Sequence, residues 1–561
     1  MKSGSIKKQN LIRLFLLLGI LIVVNILSNY VFTRFDMTQE KRYSLSPSSK
    51  NLAANLKDVV FFKFYLEGDL PPGFRRLKNS TREILDEFRV YSGDNIGYEF
   101  IDPAADKDEK SRMDLYKELA KKGLFPTNLE QKQKSGESQK IIFPGAIVTY
   151  RSREFPMQIL KSRMGSSPEE MLNMSVENLE YEICSILRKI TQEKGAAVGF
   201  LLGQGEISAS RTNDAAASLS EFYRVDTVSI NGRLNALKNF SAIIIAGPSQ
   251  TFDEKDKFIL DQYIMHGGKV LWLIDAMEMN MDSLTTSSTN IAVPKELNLD
   301  DMLFKYGVRI NTDLLLDLQA APIPIVTGYV GNQPKQQLFP WLYFPLLQTD
   351  NLHPIVHHLN TIKCEFASSL DTIEVEGVNK TILLSTSQFS RLQMSPARVS
   401  LNMLRDEPDP KLFKKHNIPV AVLLEGTFTS NYTNRIPDQL AASKEIDFKS
   451  TSLPTAMIVA SDADIIANYV SKKGVPYPLG YDRFTGQNYG NKNFILNCID
   501  YLCGNKEILS LRGKEIRLRL LDPAKTEKSS LIQWINILIP ALLVVIFGFI
   551  FNYIKKKKFE R

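Results

Sequence analysis

The chain is poor in the residues that usually carry chemistry. It has four cysteines in 561 residues, Cys184, Cys364, Cys498 and Cys503, and none forms a C-x-x-C pair. Cys184 sits on an apolar helical face and Cys498 in an apolar run, which fits buried free thiols rather than a disulfide framework. A G-x-S-x-G nucleophile elbow is absent, and Pro248 ahead of Ser249 disfavours that geometry at the one strand-to-turn position resembling it. There is no Walker A motif, so the chain does not itself hydrolyse ATP by that route. There are five histidines and no H-E-x-x-H. His353, His357 and His358 fall within six positions, yet Pro354 follows the first directly, and ordinary packing is the better reading than zinc ligation. His266 and His416 stand alone. Neither an internal repeat nor a long low-complexity tract is present.

Charge is missing from two long stretches. Leu14–Thr33 holds none and follows Lys2, Lys7, Lys8 and Arg13; Ser529–Ile554 holds none and precedes Lys555, Lys556, Lys557 and Lys558. A bilayer core of roughly 30 Å takes about 20 helical residues, so both stretches are long enough to span. Basic residues stay on the cytoplasmic side. The expectation is therefore two membrane spans, both termini cytoplasmic, and residues 34–528 together on the far side. The run Ser28-Asn29-Tyr30-Val31-Phe32 offers no small-x-small cleavage site, so the first stretch reads as an uncleaved anchor. The two basic tips also account for the net charge of +7: without them the remainder is near −1. That excludes nucleic acid as a partner.

Hydrophobic content of 44% and charged content of 23% are ordinary for a globular chain. The spacing divides it into a tail (1–13), a first span (14–33), an N-terminal α/β domain (34–194), a doubly wound α/β domain (195–312), a β-rich insertion (313–415), a closing α/β portion (416–528), a second span (529–554) and a tail (555–561). In the N-terminal domain, strands are expected at Val59–Leu66 and Ile96–Ile101, and helices at Phe74–Tyr91 and Arg112–Lys122. Lys140–Tyr150 and Phe155–Leu160 read as a hairpin. Ser167-Pro168-Glu169-Glu170 opens a helix expected to run to about Lys194, with a cap, a proline at its first position and acids in its first turn. In the next block the short apolar runs Val198–Leu202, Ser241–Ala246 and Lys269–Ile274 alternate with helical patterns, as in a parallel sheet covered on both faces. Residues 278–295 read as a loop. Pro419–Glu425 and Ala456–Ala460 are further apolar strands, and Asn491–Leu502 is a helix.

Two groups of residues are candidate ligand contacts. Gly203-Gln204-Gly205-Glu206 follows a parallel strand, where α/β proteins place ligands. Its glycines would let backbone N–H groups approach an anion, although the spacing is not G-x-G-x-x-G and Glu206 would repel phosphate; a tight strand-to-helix turn is the plainer account. Asp275, Asp462 and Asp464 stand at strand C-terminal ends. Carboxylates there bind metals or sugar hydroxyls, or simply make caps and Asx turns. No catalytic residue, metal ligand or cofactor is assigned.

Several runs, taken together, resemble one family. They are Arg34-x-Asp36-x-Thr38-x-x-Lys41-x-Tyr43-Ser44-Leu45-Ser46; Gly203-x-Gly205-Glu206; Ala246-Gly247-Pro248 with Asp261-x-Tyr263-Ile264-x-x-Gly267-Gly268; Ser461-Asp462-x-Asp464; Gly490-Asn491-x-x-Phe494-x-x-Asn497-x-x-Asp500-x-Leu502; and Leu511-Arg512. In this order they are similar to the gliding-motility-associated, substrate-binding-like auxiliary components of ABC transporters, the GldG family. The resemblance implies a periplasmic domain with a fold like glutamine amidotransferases and the module of some intraflagellar-transport proteins. It also implies a separate permease and ATPase as partners, a role in gliding together with other envelope proteins, and no enzymatic cysteine: none falls at Ala246–Ser249. Two alternatives remain at this stage. One is a membrane-tethered hydrolase of envelope glycans using the strand-end acids; the other is a structural scaffold joining the inner membrane to envelope machinery.

Overall fold

The computed structural model describes residues 11–12, 14–23, 44–105, 108–133, 136–160, 167–191, 195–330, 333–348, 353–357, 359–437, 442–443, 445–471, 473–504 and 529–559. It divides into two units, Met1–Glu515 and Ile516–Arg561. Residues 24–33 of the first apolar stretch, the opening signature up to Tyr43, Asn25, His358, residues 192–194 and the Leu511-Arg512 pair lie outside the described residues.

In the N-terminal part, β1 (Val60–Phe64) pairs in parallel with β2 (Ile96–Phe100) and antiparallel with β3 (Gly145–Tyr150), which pairs with β4 (Arg153–Gln158). Alternation along β1 buries Val60, Phe62 and Phe64. These pack with Leu77, Leu85 and Phe88 of α2 (Pro72–Tyr91) and with Ile183 and Leu187 of α3 (Leu179–Thr191). The helix opened by Ser167 has the full capping box with Glu170, but it ends at Glu177, and α3 starts afresh at Leu179. At the break, the Asn178 carboxamide donates to the Met174 carbonyl at 2.8 Å, competing with the helical ladder as short polar side chains do.

The largest sheet has seven strands: β5 (Ala197–Leu201), β6 (Arg224–Val228), β7 (Ala242–Ala246), β8 (Lys269–Leu273), β9 (Val378–Ser385), β10 (Pro419–Gly426) and β11 (Thr455–Ala460), in the spatial order β9-β10-β11-β8-β7-β5-β6. The run from β6 to β11 is parallel throughout, while β9 and β10 add antiparallel at one edge. β5, β7, β8 and β11 are apolar almost to the residue because both faces are covered. On one face Phe200, Ile244 and Leu271 pack with Ala215 and Leu219 of α4 (Ala209–Ser220) and with Phe494, Ile495 and Ile499 of α6 (Asn491–Leu502). On the other, Ile243, Ile245 and Trp272 pack with Ile259, Leu260 and Ile264 of α5 (Glu254–Met265).

The segment read as a loop at 278–295 instead holds a helix, Met281–Thr286, and a strand, Thr289–Pro294. That strand pairs with Ala397–Ser400, a partner over a hundred positions away that local composition does not announce. Between β8 and β9 a long ribbon, Ala320–Val330 against Gln333–Leu347, carries Pro322, Pro324, Pro334, Pro340 and Pro345.

The second unit contains α7 (Ser529–Phe559), with Pro540 inside it. Its Ile535–Ile554 stretch is long and apolar enough to cross a membrane, and its side chains are exposed. In the first unit, Leu14–Val23 is a shorter apolar helix.

Candidate functional site

All the parallel strands of the large sheet end on the same edge, so the loops after β5, β7, β8 and β11 meet there. The Ser249 and Gln250 N–H groups both donate to the Gln204 carbonyl at 2.9 Å, and Ser249 Oγ donates to the Gly205 carbonyl at 2.8 Å. Gly247 has φ +60, and a Cβ there would run into Ile207 and Ala463, so glycine is what lets the three loops close together. The Ala463 N–H in turn donates to Asp275 Oδ1 at 2.7 Å. Gly203–Glu206, Asp275, Asp462 and Asp464 thus form one contiguous edge.

The glycine turn holds an anion of its own. Glu206 Oε2 accepts from the Gly203 N–H at 2.9 Å and the Gln204 N–H at 3.0 Å. Gly203 and Gly205 have φ of +128 and +70, which aim the amides inward. An external anion would have to displace this carboxylate. Burial raises the Glu206 pKa, against the pull of those amides.

The three aspartates act as joints between elements. Asp275 takes Ala463 N–H through one oxygen and Lys295 Nζ, at 3.2 Å, through the other. Asp462 accepts from the Asp464 N–H and the Glu365 N–H, both at 2.7 Å. Asp464 accepts from Arg211 at 2.7 Å, tying the β11 loop to the first turn of α4. Burial, then Asp464 and Asp275, raises the Asp462 pKa well above the usual carboxylate range. Glu365 goes the other way: burial is outweighed by Lys363 at 2.8 Å and Tyr469 at 2.7 Å.

Burial, then the charges of Glu365 and Asp275, pushes Asp464 up to about 7, with Arg211 opposing. A carboxyl raised in the folded chain contributes its stability in full below the unfolded value of 3.8 and loses it as the pH climbs through about 7. The thermal midpoint is expected to fall across that window, and Asp464→Asn to flatten the fall. A pH dependence identical in the variant would contradict this.

Arg211, Lys295, Lys363, Glu365 and Tyr469 were not singled out by the sequence. Their partners lie far away along the chain; only the Lys363-x-Glu365 alternation in a strand-like run hinted at a facing pair. Other candidates disperse. The His353 ring packs on Tyr501 at 5.1 Å, and His266 Nε2 meets Asp447 at 3.0 Å. Among the described residues no group of three or more His, Cys, Asp or Glu could hold a metal ion. All four cysteines are free. Burial pushes the Cys184 thiol up to about 12 and those of Cys364 and Cys498 well above the ordinary value, so none of these three is a thiolate at neutral pH.

A family described as ABC-type uncharacterized transport system matches residues 196–498, from the start of β5 into α6. A domain of unknown function matches residues 39–149. An uncharacterized protein of Borreliella burgdorferi (strain ATCC 35210 / DSM 4680 / CIP 102532 / B31) is 20% identical over 569 residues, spanning 98% of this chain and 99% of that protein. Among solved structures, the mmIFT52 N-terminal domain is similar over 55% of this chain and 98% of its own, at 13% identity and a TM-score of 0.32; so low a score supports no argument from that structure.

Proposed function

Because the chain belongs to the ABC-type transport system auxiliary family, we propose that it is a non-catalytic subunit working beside a separate permease and a separate ATPase. The observation that carries this reading is the extent of the match: it takes in every strand of the seven-stranded sheet. The strand-end edge is consistent with it. Glu206 occupies the amides of its own turn, and Asp275, Asp462 and Asp464 are engaged by backbone N–H groups and basic side chains, so these acids hold loops in place. A membrane-tethered hydrolase acting through these four acids would instead need two of them left free to act as acid and base.

In this reading the parallel strands and their helices form a doubly wound domain. Its switch point lies between β5 and β7, where the chain reverses direction across the sheet, and Gly203–Glu206 with Ser249 forms the recognition surface for a ligand or an envelope protein. α7 and the apolar segment beginning at Leu14 anchor the chain in the bacterial inner membrane, both termini inside, the α/β body in the periplasm. The transport system serves gliding motility, as the motif order suggests. Tags on each terminus, probed with protease added to spheroplasts, test the layout. Both tags are expected to survive while the α/β body is digested; loss of either tag would contradict it.

A further inference from the structure

Adjoining the strand-end acids is a small cleft bounded by Lys363, Glu365, Tyr469, Tyr481, Asp482 and Tyr489. One wall is the turn Gly480–Tyr489. Gly480 has φ +83, the Tyr489 N–H donates to the Gly480 carbonyl at 2.8 Å, and the Phe484 N–H donates to Asp482 Oδ1 at 2.9 Å. In the opposite wall, Lys363 Nζ donates to Glu365 Oε1 at 2.8 Å and to the Tyr469 hydroxyl at 3.2 Å, and that hydroxyl donates to the same Oε1 at 2.7 Å. The Asn491 carboxamide is fully used on the backbone of Lys363 and Ile465. Arg483 lies over the rings of Tyr469 and Phe484.

The functions left over are mostly acceptors. The Tyr489 hydroxyl is without a partner although the residue is only 5% exposed. Among the described residues no donor meets Glu365 Oε2 or Asp482 Oδ2. Burial and the adjacent Asp482 push the Tyr489 phenol up to about 12, with Lys363 opposing, so it keeps its proton at neutral pH.

We propose that this cleft is a subsite for the primary ammonium group of a small organic amine. An ammonium brings three donors and no acceptor, which suits two carboxylate oxygens and a phenolic oxygen. The Tyr469 ring already carries Lys363 and Arg483, so the oxygens and not the rings would hold the ammonium. Lys363 offsets Glu365, but an anion would still face the Asp482 carboxylate, and a neutral alcohol would satisfy one of the three oxygens. The cleft admits the head group, with the rest of the amine at its mouth. This assignment goes beyond the auxiliary role and stands without it.

The test is calorimetric titration of the full chain in detergent with butylammonium chloride, against 1-butanol and sodium butyrate at matched ionic strength. Saturable binding in the millimolar range is expected for butylammonium alone. Asp482→Asn keeps the acceptor for Phe484 and should weaken binding by about tenfold or more. Tyr489→Phe removes only the unpartnered hydroxyl and should weaken it about threefold, with an unchanged thermal midpoint. Absence of saturable binding, an equal response to butanol, or undiminished binding in both variants would overturn the proposal.

Discussion

Arg188→Ala should destabilise the folded chain by about 3–5 kcal/mol, one of the two largest single-site effects expected here. Arg188 on α3 donates to Asp500 on α6 at 2.7 Å and to the Tyr223 hydroxyl, just past α4, at 2.9 Å. All three residues are buried, and the guanidinium also lies over the rings of Phe222 and Tyr223. This cluster joins the helices of the N-terminal part to the face of the large sheet. Truncation leaves the Asp500 carboxylate buried with, among the described residues, only the Tyr223 phenol hydrogen-bonded to it. Replacing both charges by apolar residues of similar volume, Arg188→Met with Asp500→Leu, is expected to cost far less, because no charge is stranded. Chemical unfolding of the full chain in detergent checks both. If the double variant is as unstable as Arg188→Ala, the loss lies in packing and not in the orphaned charge.

Trp272→Ala is expected to cost a similar amount, about 3–5 kcal/mol. Trp272 is fully buried in β8, between β7 and β11, against the face that α5 covers. The indole N–H, however, has no partner among the described residues. Trp272→Phe therefore loses volume without losing a hydrogen bond and removes a buried orphan donor, so its cost should stay under about 1.5 kcal/mol. A phenylalanine variant as unstable as the alanine one would show that the indole nitrogen does find a partner.

What the sequence made legible follows from how local each signal is. The β-strands at 242–246, 269–273 and 455–460 could be read directly, because a strand buried on both faces is apolar at nearly every position. The capping box at Ser167 was equally plain, being complete within four residues. The break at Asn178 was not, since the leucine and isoleucine spacing continues through it and only a side-chain hydrogen bond marks it. The 289–294 strand was hidden for a different reason: it follows a run rich in Ser and Thr and is fixed by a partner over a hundred positions away. At the strand-end edge, Gly203–Glu206, Asp275, Asp462 and Asp464 were recognisable because turn and strand-end positions have local signatures. What those residues do was not, because it depends on Arg211, Lys295 and Glu365, which reach them from far along the chain.

The central claim is that this chain is a subunit of a transport system. Affinity capture of the tagged full chain, expressed at its native level and crosslinked in intact membranes before detergent extraction, tests it most directly. The account predicts a multi-spanning permease and an ATPase recovered with it in fixed ratio, joined through crosslinks to this chain. Recovery of the chain alone, with no crosslink to either, would contradict it.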